Sequence, residues 1–404
     1  MENKFWKWLV STLSYILVAA LACVVTIVVV LPQMRDYNSY IPFRPTTGEV
    51  AENAAKLEEL LNLIDVAHVV DGDLTVMTDA AAEAMLAASG DPWSYYISAA
   101  DIERHNQQDQ NAYVGIGVTL NMEDNAKGFL IDAVEPDGSA QRAGIRPGDI
   151  LIEAEGQSLI GVDTNLPASI IRGEEGTPVT LKVLRDGQIL SFTMLREKIK
   201  EIVAEGKLLD GNVGYIVIKN FHDRCAAETI ACIEELMEQG AEKLIFDVRF
   251  NVGGYKRELV KLLDYLLPEG KLFISEDYTG AVETDTSNAS CLDVPMAVLM
   301  NSYSYSAAEF FAAALEEYEW ATTVGQHTVG KGYFQYTIPL SDGSAVALSM
   351  GKYYTPKGIS LGDTGGLAPN IPVEVDAETE VLIYAGLLDP MEDPQVLAAL
   401  NALK

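Results

Sequence analysis

The sequence predicts a mixed α/β body that carries an inserted β-rich module and follows an apolar N-terminal helix. Three observations predict it. From Val213 onward strand-like and helical patterns alternate, between about Tyr113 and Arg196 short β-type runs are punctuated by turn residues, and Trp8 to Leu31 holds no charged side chain.

The apolar run comes first in the chain. Its 24 residues, at about 1.5 Å each, are long enough to cross a hydrocarbon core. A cleavable signal peptide is the competing reading, but the run continues through Val28, Val29 and Val30 where a small-residue cleavage site would be needed. Ala20-Leu21-Ala22-Cys23 only weakly resembles a lipidation site, because apolar residues continue past Cys23. Lys4 and Lys7 precede the run and Pro32 ends it, so the positive-inside rule predicts a single-pass anchor with a cytoplasmic N-terminus and an extracytoplasmic body.

The body's charge narrows its partners. With 28 Lys and Arg against 59 Asp and Glu, the formal net charge of -31 repels phosphate backbones, which argues against nucleic acid. Beyond the apolar run only Cys225, Cys232 and Cys291 remain, an odd number that excludes a fully paired disulfide framework and predicts free, buried thiols. His68, His105, His222 and His327 show no metal-ligand spacing, so neither a metal nor any other cofactor is expected.

After a polar linker, residues 56–64 and 78–89 have helical spacing. The β-rich module then contributes runs at 114–118, 128–131, 149–152 and 179–183. In the body, strands are predicted over 214–218, 243–248 and 296–300, helices over 223–238 and 307–319, strand-rich sequence to about Val375, and a last helical stretch over 377–387.

Three places could carry chemistry. Ser306 opens a predicted helix directly after a strand, where unpaired backbone N–H groups can stabilise an oxyanion; Ser306-x-x-Glu309 is equally a capping box. Lys331 lies between Gly330 and Gly332, four residues before Gln335. A lysine serves as a base only where burial destabilises its ammonium, and the alternative is an exposed turn lysine. His327 is a rival base. Asp247-Val248-Arg249-Phe250-Asn251-Val252-Gly253-Gly254 ends a strand with paired glycines, which can bring N–H groups to a ligand or simply make a turn.

In this order the three pieces resemble the carboxyl-terminal processing peptidases, a family of serine–lysine proteases. Ser-Tyr-Ser306-Ala-Ala-Glu is similar to the family's serine motif and Gly-Lys331-Gly-Tyr-Phe-Gln335 to its lysine–glutamine motif, with separations of 25 and 4 residues. Gly90-Asp91-Pro92-Trp93-Ser94-Tyr95-Tyr96 and Tyr353-Tyr354-Thr355-Pro356 also resemble family segments. The resemblance implies Ser306 as nucleophile, Lys331 as general base, Gln335 holding the lysine ammonium, and the backbone amides of Gly253 and Ala307 as oxyanion donors. The β-rich module resembles a PDZ domain, which implies Gly115, Ile116 and Gly117 as a carboxylate-binding loop for protein tails. Arg172 would couple that module to the core or lie as a solvated loop residue.

The implied organisation is an anchor over 1–32, a linker over 33–55, a helical segment over 56–110, the PDZ domain over 111–198, a peptidase core over 199–375 and a helical end over 376–404. The core would be an α/β spiral of the crotonase and caseinolytic protease kind, and the flanking helices imply a homodimer. The implied activity is endopeptidase cleavage of extracytoplasmic protein substrates near their C-termini. A catalytically silent tail-binding scaffold is the alternative, in which Val252, where the family usually has proline, marks a lost oxyanion hole; Asn370 and the tyrosines Tyr303 and Tyr305 around Ser304 also depart from the family pattern but remove no reacting group.

Overall fold

The computed structural model describes residues 47–121 and 126–404; the predicted anchor lies outside them. Among the described residues no helix is long and apolar enough to cross a membrane. Residues up to Gly90 form one unit and Asp91–Lys404 another. The first holds helices Glu49–Ala67 and Leu74–Ala88, the second begun by Asp73, whose carboxylate accepts from the Thr75 and Val76 N–H groups at 2.8 and 3.3 Å.

The second unit is built around a six-stranded sheet in chain order: β1 (Ala204–Leu209), β2 (Val213–Ile218), β3 (Lys243–Asp247), β4 (Met296–Met300), β5 (Ala321–Gly325) and β6 (Ile371–Pro372). Only β1 and β2 are antiparallel; every later pair is parallel. Parallel strands need cover on both faces, which explains why β4 is fully buried over Met-Ala-Val-Leu-Met. One face is covered by helices α1 (Cys225–Glu238), α2 (Lys256–Leu266) and α3 (Ala307–Glu317), whose Ile233, Leu262, Leu263, Phe310 and Phe311 pack with Phe246 and Val298. The other receives helix α4 (Pro394–Ala402), through Val396 and Ala399 against Ile245 and Leu299.

A second, antiparallel sheet joins Tyr95–Ile97, Tyr333–Pro339, Ala345–Tyr354, Gly270–Asp277 and Val282–Ser287. The β-rich module has its own core of Ile116, Phe129, Ile131, Leu151, Val179, Leu181 and Val183. The chain enters and leaves this module through a ribbon pairing Ala112–Gly115 with Glu197–Lys200. Arg224 fastens both strands at one end of the ribbon, donating to the carbonyls of Gln110, Asn111 and Glu201 at 2.8, 3.1 and 2.6 Å.

Beneath the core sheet lies a buried ionic cluster. The Arg249 guanidinium donates to Asp247 at 2.5–3.0 Å, to Asp393 at 2.7 Å and to Gln395 at 2.9 Å, and the Tyr215 hydroxyl donates to Asp247 at 2.5 Å. Every donor here faces an acceptor, the condition under which buried charge is tolerable. Cys225, Cys232 and Cys291 are free as expected, but only Cys225 is buried, its thiol pushed up to about 12 by burial, while Cys232 is half-buried and Cys291 exposed.

Candidate active site

Three loops leave the carboxyl ends of the adjacent parallel strands β3, β4 and β5, so they are neighbours although distant in sequence. The first contains Gly253, the second Ser306, the third Lys331.

The second loop is a tight turn pinned from inside. The Ser304 hydroxyl donates to the Val248 carbonyl at 2.8 Å, the Tyr305 N–H to the Asn251 carbonyl at 3.1 Å, and the Asn301 amide oxygen accepts from the Phe250 and Tyr303 N–H groups at 2.9 and 3.2 Å. Ser306 follows with φ 58° and ψ −128°, a conformation that costs a residue with a Cβ about 1–3 kcal/mol and persists only where surroundings impose it. The first loop fits against it so closely that a Cβ on Gly253 would lie 2.7 Å from Ser306 Cβ; Gly253 itself has φ +90°. Glycine is required there twice over.

Glu309 supplies the remaining constraint. The capping box seen in the sequence is present, with the Glu309 carboxylate accepting from the Ser306 N–H at 2.8 Å through Oε2. The Glu309 N–H bonds the Ser306 carbonyl at 2.8 Å, so the amide that a hydroxyl cap would satisfy already has a backbone partner. The same carboxylate does more than cap. Oε2 also accepts from the Lys331 N–H at 2.9 Å, and Oε1 from the Gly330 N–H at 2.7 Å and the Thr328 hydroxyl at 2.5 Å. The backbones of Ser306 and Lys331 thus meet on one oxygen atom. Burial pushes the Glu309 carboxyl up, while its four donors pull it down. This second role of Glu309 was missed in the sequence, where only its spacing from Ser306 was visible.

The Lys331 side chain passes over the ring of Tyr305, with Nζ 5.6 Å from its centroid. Burial pushes its ammonium below the ordinary lysine value, against the opposing pull of Asp91 and Glu309. Burial of this kind disfavours the charged form of an amine, the condition under which a lysine can act as a base. The rival base His327 has its Nδ1 3.0 Å from the Thr328 carbonyl, and its ring packs beside Gly366.

Other expected residues are arranged differently. Gln335 does not hold the lysine: its Nε2 donates to the Ser349 hydroxyl at 3.1 Å and the Tyr333 carbonyl at 3.3 Å, and a register shift between Phe334 and Gln335 redirects the side chain along the strand. The Ala307 amide sits in the first turn of α3, where the helix offers no carbonyl partner. The Gly253 N–H, in contrast, donates to Asn251 Oδ1 at 2.8 Å, so that oxyanion donor is occupied in this state. In the β-rich module, Gly115 ends the ribbon strand, and the Ile116 and Gly117 carbonyls accept from the Ala140 and Glu135 N–H groups at 3.1 and 2.8 Å. Arg172 stacks 5.0 Å over the Tyr113 ring, on the ribbon rather than on the core.

Residues 212–373 match the model of peptidase family S41, and residues 130–185 match that of a PDZ domain. The chain is 28% identical over 381 residues to the "Probable CtpA-like serine protease" of Staphylococcus epidermidis, covering 92% of this chain and 74% of that protein. It is 30% identical over 329 residues to the carboxy-terminal processing protease CtpB of Bacillus subtilis, covering 79% and 67%. Among solved structures, a Bacteroides fragilis protein described as an S41 protease aligns over 90% of this chain and 99% of its own with a TM-score of 0.52 and 17% identity, a likeness of fold. The strand-end placement of Ser306 and the share of CtpB that aligns lead to one conclusion: this chain belongs to peptidase family S41, as a serine-type peptidase of the carboxy-terminal processing group.

Proposed function

We propose that the protein is a membrane-anchored endopeptidase that cuts extracytoplasmic proteins near their C-termini, with Ser306 as nucleophile and Lys331 as general base. The observation that carries this reading is the Glu309 carboxylate, which draws the Ser306 and Lys331 backbones onto one oxygen beside a half-buried amine. In the reaction, neutral Lys331 takes the proton of the Ser306 hydroxyl as its oxygen attacks the scissile carbonyl. The ammonium then protonates the leaving amine, and the acyl-enzyme is hydrolysed by water that Lys331 deprotonates. The oxyanion meets the Ala307 N–H at once, and the Gly253 N–H once Asn251 releases it. The Asn251–Gly253 bond therefore makes activity conditional on a small loop rearrangement.

Anchoring by the apolar run at Trp8 to Leu31 supports an extracytoplasmic setting. Ser306→Ala is expected to lower turnover of a cleaved peptide by more than about 10^4-fold. Turnover equal to the parent's would remove Ser306 from the chemistry and favour the tail-binding scaffold.

The PDZ module supports capture of the substrate's terminal carboxylate on the backbone of Gly115, Ile116 and Gly117, with the tail added to a sheet edge. Amidating a substrate's C-terminus is accordingly expected to raise KM by about tenfold or more, the worth of a charge-assisted hydrogen bond. Equal KM values for the free and amidated peptides would refute carboxylate capture.

A further inference from the structure

Two aromatic rings beside the base have no part in the mechanism above. Lys331 Nζ lies 5.1 Å from the centroid of Trp93 and 5.6 Å from that of Tyr305, and the two rings are 5.8 Å apart. They arrive from different parts of the fold, Tyr305 from the turn that ends in Ser306 and Trp93 from just before the strand Tyr95–Ile97. Trp93 is fixed from behind. Its backbone N–H donates to Asp91 at 3.0 Å, the Ser94 hydroxyl donates to the same carboxylate at 2.5 Å, and the Ser349 N–H donates to the Ser94 hydroxyl at 2.9 Å. Gln335 Nε2 donates to the Ser349 hydroxyl, so Ser349 bonds both Gln335 and the turn that carries Trp93.

We propose that Trp93, with Tyr305, is a positioning residue for the base: the two rings cage the Lys331 ammonium at rest and release the amine towards Ser306 when it loses its proton. The proposal rests on the serine–lysine reading above. Its physical basis is selectivity, because the negative face of an aromatic ring attracts a cation and not a neutral amine. An amine that has lost its proton keeps no tie to the rings and is free to accept from a hydroxyl. The ionisable groups facing Nζ are Asp91, Glu309 and Tyr305, from three different segments. Both carboxylates favour the ammonium as the rings do, and burial opposes all of them. The cage therefore sets how much of Lys331 is neutral at a given pH without touching substrate.

Replacing Trp93 by leucine keeps apolar cover and removes the ring face; phenylalanine keeps a weaker one. For Trp93→Leu the half-point of the acid limb of kcat/KM is expected to move to lower pH by roughly half to one unit, and for Trp93→Phe by less. In the full-length parent, tryptophan emission is expected to titrate with the same half-point as activity, and Lys331→Met is expected to abolish that component. An unchanged half-point in Trp93→Leu, or a titrating component that survives in Lys331→Met, overturns the cage. If Trp93→Leu does not fold, the emission of the parent against Lys331→Met decides alone. An active Lys331→Met enzyme would instead overturn the serine–lysine reading itself, so the two failures are told apart.

Discussion

Lys331→Met is expected to reduce kcat/KM on a cleaved peptide by more than about 10^4-fold, because it keeps the apolar stem and removes the amine proposed as the base. Lys331→Arg is expected to fail equally, since a guanidinium stays protonated throughout the working range. In the parent, burial holds the lysine below its ordinary value against Asp91 and Glu309. Activity should therefore rise with pH along a limb centred below the pKa of a free lysine. Stability follows with a definite sign. Between its folded and unfolded pKa values Lys331 binds fewer protons folded than unfolded, so this residue's contribution improves as pH rises through that window. In Lys331→Met that pH dependence is removed. Urea midpoints at several pH values, beside the rate profile, check both statements; a methionine variant of parental activity would refute the assigned base.

Glu309→Ala is expected to have the largest effect on the fold among residues near the site. Its carboxylate is buried and accepts four hydrogen bonds. Truncation strands three backbone N–H groups and the Thr328 hydroxyl, a loss of about 3–5 kcal/mol. It also frees the strained Ser306 backbone from Lys331, for which a further rate loss of at least about 10^2-fold in the folded fraction is expected. Glutamine is not a rescue. Each carboxylate oxygen faces two donors, so an amide nitrogen in either position meets N–H or O–H groups with another donor. Denaturant midpoints and turnover per folded molecule test this, and a Glu309→Gln enzyme with parental values of both would exclude the clamp.

How far the sequence foretold these features depended on distance along the chain. The strand Met296–Met300 and the helix beginning at Ala307 are found where expected, because an unbroken apolar run and a Ser-x-x-Glu cap are local signals. Helix α2 was passed over although Leu259, Leu262, Leu263 and Leu266 have helical spacing, since the charged residues among them dilute the pattern. What escaped entirely was non-local. The donors that Glu309 gathers from Thr328, Gly330 and Lys331 lie in another loop, and Trp93 reaches Lys331 only because β-strand pairing carries Tyr95–Ile97 to Ala345–Tyr354. Gln335 could not have been placed from spacing either, because a single shift in strand register turned it towards Ser349. The occupied Gly253 N–H lies in the loop where Val252 departs from the family pattern, a substitution visible in sequence whose effect on an N–H was not.

The ionic cluster at Arg249 has a bearing on how the catalytic part could be isolated. Its guanidinium sits two residues from Asn251, yet two of its acceptors, Asp393 and Gln395, belong to the start of α4. A fragment trimmed to the family match at residue 373 would leave a dehydrated cation with half its counter-charge gone. Such a fragment should misfold or aggregate on expression, whereas one extended through α4 keeps the electrostatic keystone under the loop that faces Ser306.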